Sequence, residues 1–276
     1  MTKSITTGFD IVFLGAGNVA TNLAIALRDA GLNIRQVYSR TIESALWLAH
    51  QVNANKDSVC AISASTEAIT DLSLVTRDAD FYIYCLKDDV LQQVPQWKMP
   101  FPKGIHIHTS GTCGIEIFRD AGCREYGVFY PLMTFTRDKR TDFSRVPLFI
   151  EGSDAVTEKK IETLARILTS QVYAMDSCAR AKLHLSGVFA NNFTNVMLTI
   201  ADDVAHKAGV DVSILIPLVQ ETLDKAATGN PFSHQTGPAV RGDKGTIDAH
   251  RRLLADHTKE LEIYNILTDY IESRKM

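Results

Sequence analysis

The 276-residue chain predicts an α/β fold in which a doubly wound, mostly parallel sheet is followed by an all-helical C-terminal domain. Three observations carry that expectation. Short apolar runs alternate with helical periodicity over the first 176 residues, a glycine turn joins the first run to a helix, and strand-like alternation stops after Ser177.

The first run and its turn occupy 10–28, DIVFLGAGNVATNLAIALR. Ile11 to Leu14 have the apolar continuity of a buried parallel strand, and Val19, Leu23, Ala26 and Leu27 then recur at helical spacing. Gly15, Gly17 and Ala20 fall at the three positions of G-x-G-x-x-A, the Rossmann-type turn. The first residue permits the tight turn, the second lets backbone approach a diphosphate, and the third keeps helix and strand close. Unpaired N–H groups at the helix start, on Asn18 and Val19, attract the phosphates. The motif alone also fits an ordinary glycine-rich turn; the strand before it and the helix after it favour a dinucleotide.

A second strand is expected at 33–38. An NAD site usually places an acidic residue about twenty positions beyond the glycines, for the ribose 2′-hydroxyl. Here that place holds Ser39, Arg40 and Thr41. A guanidinium between two hydroxyls suits a 2′-phosphate, so NADP is the expected cofactor; the plainer reading is an arginine that opens the next helix in solvent. A helix over 41–52 and a mixed stretch over 61–74 with a short strand and a turn come next.

The strand over 79–86 delivers Leu86 and Lys87 to the carboxyl edge of the sheet, where ligands of such sheets gather. Lys87 equally fits a solvated loop. The strand over 104–108 brings His108, Thr109 and Ser110 to the same edge. Thr109 is expected against the nicotinamide, His108 against substrate and Ser110 in catalysis, although a turn capped by the two hydroxyls is the competing reading. His106 reads as a packed histidine. The run 127–135 contains Pro131, which argues for an edge strand or a bend. A strand over 147–151, a helix over 155–168 and a strand over 171–176 extend the sheet, placing the domain boundary near Asp176 and dividing the chain into 1–176 and 177–276, although sequence alone allows a boundary as early as Tyr130.

Beyond it, 180–208 reads as one long helix ended by Gly209. At 100° per residue Leu185, Phe189, Phe193, Val196, Ile200 and Val204 form one apolar stripe, and the opposite face carries His184, Gly187, Asn191 and Asn195. That face lacks the lysines and glutamates of a solvated surface. It serves either as a wall for substrate or cofactor or as a contact with another helix or subunit. Asp211 caps a helix in which Pro217 marks a kink or the true start. The irregular stretch 228–245 concentrates turn residues around Thr236 and Arg241, both expected to touch substrate. Helices over 246–255 and 258–274 close the chain.

Bulk properties bound the functional class. Hydrophobic residues make up 45% and charged residues 22%, a globular composition, and a net charge of -3 gives no footprint for nucleic acid or anionic membrane. The polar first nine residues lack the core of a secretory signal, and no run approaches a bilayer span. Five cysteines, including Cys60, show no C-x-x-C spacing, so no metal site or disulfide framework is expected, and a cytoplasmic location fits.

The segments GAGNVA, YSRT, HTSG, YPLMTF, KLHLSGVFANNF and TGPAVRGD together resemble the family of Rossmann-like NADP oxidoreductases whose helical C-terminal half is a domain of unknown function. The resemblance runs from Asp10 to about Tyr270. More distantly the chain is similar to pyrroline-5-carboxylate reductase, to the NADP-dependent reductase of a deazaflavin coenzyme and to the 6-phosphogluconate dehydrogenase superfamily. That superfamily implies a helical second domain used for dimerisation, with the active site in the cleft between domains. Its β-hydroxyacid dehydrogenases carry a lysine followed four residues later by asparagine on this helix. Here Lys182 is followed by Ser186, so the catalytic lysine is not carried over.

His184 and Asn191 instead match the asparagine-bearing helix of the closer family. His184 is the expected proton donor, since an ordinary imidazole titrates near neutrality. The resulting expectation is hydride transfer between NADP(H) and a small C=O or C=N substrate by a homodimer. The alternative is a non-catalytic NADP(H) sensor.

Overall fold

The computed structural model describes residues 8–54, 65–97 and 103–274. Cys60, residues 61–64 of the mixed stretch and residues 1–7 of the polar N-terminus lie outside them. The described chain falls into two compact units, Met1–Val188 and Phe189–Met276.

The first unit is built on one eight-stranded sheet of order β3-β2-β1-β4-β5-β6-β7-β8. Its elements are β1 (Asp10–Leu14), α1 (Asn18–Asp29), β2 (Asn33–Tyr38), α2 (Ile42–Ala54), β3 (Glu67–Ile69), β4 (Phe81–Tyr84), α3 (Asp88–Leu91), β5 (Ile105–His108), α4 (Glu116–Asp120), β6 (Glu125–Pro131), β7 (Leu148–Gly152), α5 (Ala155–Arg166), β8 (Val172–Ala174) and α6 (Ser177–Gly187). The first six strands run parallel, and β7 with β8 are parallel to each other but antiparallel to β6. The carboxyl ends of β1, β2, β4, β5 and β6 therefore share one edge.

The sheet is apolar on both faces because helices cover both. Phe13, Leu23, Leu27, Leu48 and Phe129 lie in one layer, and Val12, Leu14, Tyr82, Tyr84 and Phe118 in the other. This is why β1 and β4 read as continuous apolar runs.

Pro131 differs from expectation, since β6 is interior, between β5 and β7. The proline is tolerated as the last residue of β6. There the β5 ladder has already ended opposite Val128, so no ladder bond loses its donor. The helix expected over 180–208 is also interrupted. α6 is capped by the Asp176 carboxylate on the Ala179 N–H, and Val188–Phe193 then form a π-helical stretch before α7 (Thr194–Lys207). The wider turn breaks the 100° projection, so Gly187 ends α6 and does not sit inside a regular helix. Packing groups α6 with the sheet, whereas the sequence places the change at Asp176.

The second unit continues with α8 (Ile216–Ala226), α9 (Pro238–Arg241), α10 (Lys244–Leu253) and α11 (Thr258–Ser273). Pro217 lies in the first turn of α8 and marks its true start. Among the described residues of this unit only Ala239, Ile247 and Thr268 are buried.

Candidate active site

Gly15 adopts φ 116° and donates its N–H to Tyr38 O at 2.8 Å, joining the ends of β1 and β2. A Cβ there would stand 2.3 Å from Cys85 O and 3.2 Å from a Leu86 methyl, so only glycine fits and Leu86 borders the turn. A Cβ at Gly17 would meet nothing within 4 Å. Gly17 opens α1 with no side-chain cap, and no acid occupies the first turn. The free N–H groups of Asn18 and Val19 therefore face an open cradle, which fits the diphosphate of a dinucleotide.

Ser39, Arg40 and Thr41 follow β2 beside this turn, tied by the Ser39 N–H to Ile69 O at 3.1 Å. Arg40 and Thr41 are exposed, and Thr41 Oγ1 donates to Ser44 Oγ. Exposed Lys87 opens α3, and the Thr109 N–H reaches Tyr84 O at 3.2 Å.

The segment after β5 is a tightly bonded loop. The Ser110 N–H donates to His108 Nδ1 at 3.2 Å, and His108 Nε2 is 3.3 Å from Gly114 O. Both ring nitrogens are thus used. Burial first, and then the charge of Arg180, push the His108 pKa down to about 3, so the ring stays neutral. His108, expected against substrate, is buried and braces its own loop. Ser110, expected in catalysis, is bonded into the same loop. It is 7% exposed, and its hydroxyl accepts the N–H groups of Thr112 and Cys113 at 3.1 and 3.0 Å. Thr112 Oγ1 donates to Asp88. Burial alone would raise that carboxyl, but the hydrogen bonds from Thr112, Ser110 and Cys113 hold it below its ordinary range.

His184 comes to this loop from α6. A Cβ on Gly111 would lie 2.5 Å from His184 Nδ1, so the imidazole rests directly on the Gly111 backbone. Tyr130 OH is 3.0 Å from the same Nδ1. Burial raises the phenol pKa, so Tyr130 keeps its proton and holds the His184 ring through Nδ1. Below them Arg180, with no exposed side-chain surface, joins Glu151 at 2.5 Å, Cys113 O and Ser177 Oγ. Asn191, Thr236 and Arg241 belong to the second unit. Asn191 lies in the π-helical stretch, Thr236 precedes the Gly237 turn at φ 109°, and Arg241 ends α9.

Sequence reasoning misses Tyr130, Glu151 and Arg180. Tyr130 carries a signal that was available: it stands at a strand's carboxyl end, where ligands of parallel sheets gather.

A solved structure of the Bacteroides fragilis protein BF3122, to which NADP oxidoreductase activity is attributed, is 37% identical to this chain with a TM-score of 0.86, covering 97% of this chain and 99% of that one. The chain belongs to that family. Its members join a Rossmann-fold NADP oxidoreductase domain to a distinct helical C-terminal domain. Family models divide accordingly: residues 10–99 match the model described as NADP oxidoreductase coenzyme F420-dependent, and residues 146–271 match a domain of unknown function, DUF2520.

Two further structures share the fold. A reductive aminase from Aspergillus terreus, in complex with NADPH and ethyl-5-oxohexanoate, is 16% identical with a TM-score of 0.68, over 97% of this chain and 93% of that one. The 1-pyrroline-5-carboxylate reductase of Streptococcus pyogenes is 14% identical with a TM-score of 0.59, over 96% and 99%. Among curated proteins none matches at a significant level. No described helix is long and apolar enough to cross a membrane.

Proposed function

We propose that this NADP-dependent oxidoreductase reduces a small C=O or C=N substrate, with His184 as proton donor. One observation carries the reading: an imidazole oriented by a phenol stands at the same sheet edge as the open glycine cradle. The N–H groups of Asn18 and Val19 bind the diphosphate, and Arg40 with the hydroxyls of Ser39 and Thr41 holds the adenosine 2′-phosphate. Leu86, Lys87 and Thr109 border the nicotinamide half. When bound, the dihydronicotinamide supplies a hydride. Tyr130 fixes the His184 ring through Nδ1, and the protonated imidazole gives its Nε2 proton to the substrate heteroatom, leaving a neutral ring. The His108–Gly114 loop fixes the floor on which that ring rests. The reductive aminase and the pyrroline-5-carboxylate reductase, enzymes of C=N chemistry by name, support this substrate class.

Residues 1–176 carry the cofactor in this reading, and 177–276 provide contacts with a second copy of the chain. Support for the dimer comes from Phe189, Phe193, Ile214, Leu218 and Ile266, all exposed in a unit with almost no buried core. Free thiols at Cys85, Cys113, Cys123 and Cys178 support a reducing, cytoplasmic setting.

The test follows NADPH absorbance against cyclic imines, keto esters and keto acids, with calorimetry alongside. Consumption with at least one substrate, falling in His184→Ala while NADPH affinity holds, is the expected result. Unchanged turnover in that variant removes His184 from the chemistry, and no heat with NADPH removes the cofactor reading itself.

A further inference from the structure

The connection between β6 and β7 crosses the opening of α1 and is pinned to it. Asn18 Nδ2 donates to Phe135 O at 3.0 Å, Asn22 Nδ2 to Thr136 O at 2.8 Å, and the Thr141 N–H to Asn22 Oδ1 at 3.1 Å. Phe135 anchors the segment from inside, buried and stacked on Phe143 with ring centroids 5.8 Å apart. This strap carries Arg137 to the glycine turn. Its guanidinium donates from Nη2 to Ala16 O at 2.7 Å, and its Cζ lies 4.9 Å from the ring centre of Trp47 in α2.

Two features of that placement are informative. A long side chain is held at both ends of its guanidinium, by a carbonyl inside the glycine motif and by an indole face, so the entropy of ordering it is already spent. Yet among the described residues Arg137 has no carboxylate partner, and its other N–H groups make no hydrogen bond. A fixed, unneutralised cation with free donors is what a phosphate dianion requires. The side on which it stands selects the phosphate. The diphosphate belongs to the N–H groups opening α1, whereas Arg137 leans from the turn toward α2, the helix that follows Arg40.

We propose that Arg137 is a second guanidinium for the adenosine 2′-phosphate, acting with Arg40 to select NADPH over NADH. Arg40 supplies an exposed, adaptable contact from the end of β2. Arg137 supplies a pre-positioned one from the strap, so the strap itself takes part in cofactor choice. The inference rests on the reading that the cradle binds NADP(H), and it adds a residue that lies 97 positions from Arg40.

Calorimetry with NADPH and NADH on the full chain and on Arg137→Gln and Arg137→Lys tests it. Expected are a loss of about tenfold or more in NADPH affinity for Arg137→Gln, unchanged NADH affinity, a shallower salt dependence, and partial recovery in Arg137→Lys. The lysine variant, which keeps the charge, covers the case in which the glutamine variant does not fold. Equal losses for both nucleotides, or no loss for NADPH, overturn the proposal while leaving the cofactor reading intact. A wild-type chain that binds neither nucleotide overturns the cofactor reading, and this inference with it.

Discussion

Tyr130 OH lies 3.0 Å from Nδ1 of His184, a contact that closes 54 residues of sequence and ties the end of β6 to the middle of α6. Burial keeps the phenol protonated, so its hydroxyl bonds Nδ1 and holds the ring in place. Tyr130→Phe keeps the ring and removes the hydroxyl. One hydrogen bond of about 1 kcal/mol is lost, so turnover falls by up to about tenfold while NADPH affinity holds. Nitrogen NMR of the His184 ring gives a check that needs no substrate, since losing the hydroxyl shifts the Nδ1 resonance. An unchanged Nδ1 resonance would show that Tyr130 does not hold the ring.

The two glycines of the cofactor turn respond oppositely to the same change. Gly15→Ala forces an L residue to φ 116° and drives its Cβ against Cys85 O, which costs about 1–3 kcal/mol of stability. Gly17→Ala has an ordinary φ of -83° and open space, so stability changes by less than about 0.5 kcal/mol. The methyl then occupies the cradle, and NADPH affinity falls about tenfold, about 1.4 kcal/mol. Thermal melting and calorimetry on both variants separate the effects. An alanine at position 17 that binds NADPH normally would place the diphosphate elsewhere.

His108 makes folding sensitive to mild acid. Its folded pKa of about 3 lies below the ordinary 6.5, because burial and Arg180 disfavour the charged ring. Between those values the unfolded chain holds one more proton than the folded one. Stability is therefore fully present above pH 6.5 and declines as pH falls toward 3, by up to about 1.4 kcal/mol per pH unit. Urea unfolding across the upper part of that window, above the range where carboxylates titrate, isolates the imidazole. His108→Asn should flatten the slope, and an equally steep slope in that variant would assign the proton to another group.

The alternation of strand and helix was legible because both faces of the central sheet are covered, which writes β1 and β4 as apolar runs. The cofactor turn was legible because a backbone that must approach a ligand needs glycine at fixed spacing. The candidate site was less so. His108 and Ser110 have the chemistry of site residues, yet their polar atoms are bonded within the His108–Gly114 loop, which composition does not encode. His184 stands out through its helix, whereas its neighbour Tyr130 and its support Arg180 are related to it only through tertiary packing. The π-helical stretch left no signal either, because apolar spacing over 185–204 fits an unbroken α-helix equally well.

Arg180 offers the sharpest test of how the site is supported. Its guanidinium has no exposed surface, bonds the Glu151 carboxylate, Cys113 O and Ser177 Oγ, and leaves Nε without a partner among the described residues. A buried ion pair repays its desolvation mainly while both partners are present. Arg180→Met should therefore cost about 3–5 kcal/mol, because the Glu151 charge and the Cys113 carbonyl lose their donor together. Replacing Glu151 with Leu in the same chain removes the stranded carboxylate, so the double variant should be more stable than the single one. Urea unfolding of the four species gives the coupling directly. Since Arg180 stands one turn before His184 and holds the loop on which that ring rests, the single variant should also lose the Tyr130 signature in His184 nitrogen NMR. Strict additivity, with the His184 spectrum unchanged, would mean that Arg180 fills space and does not position His184.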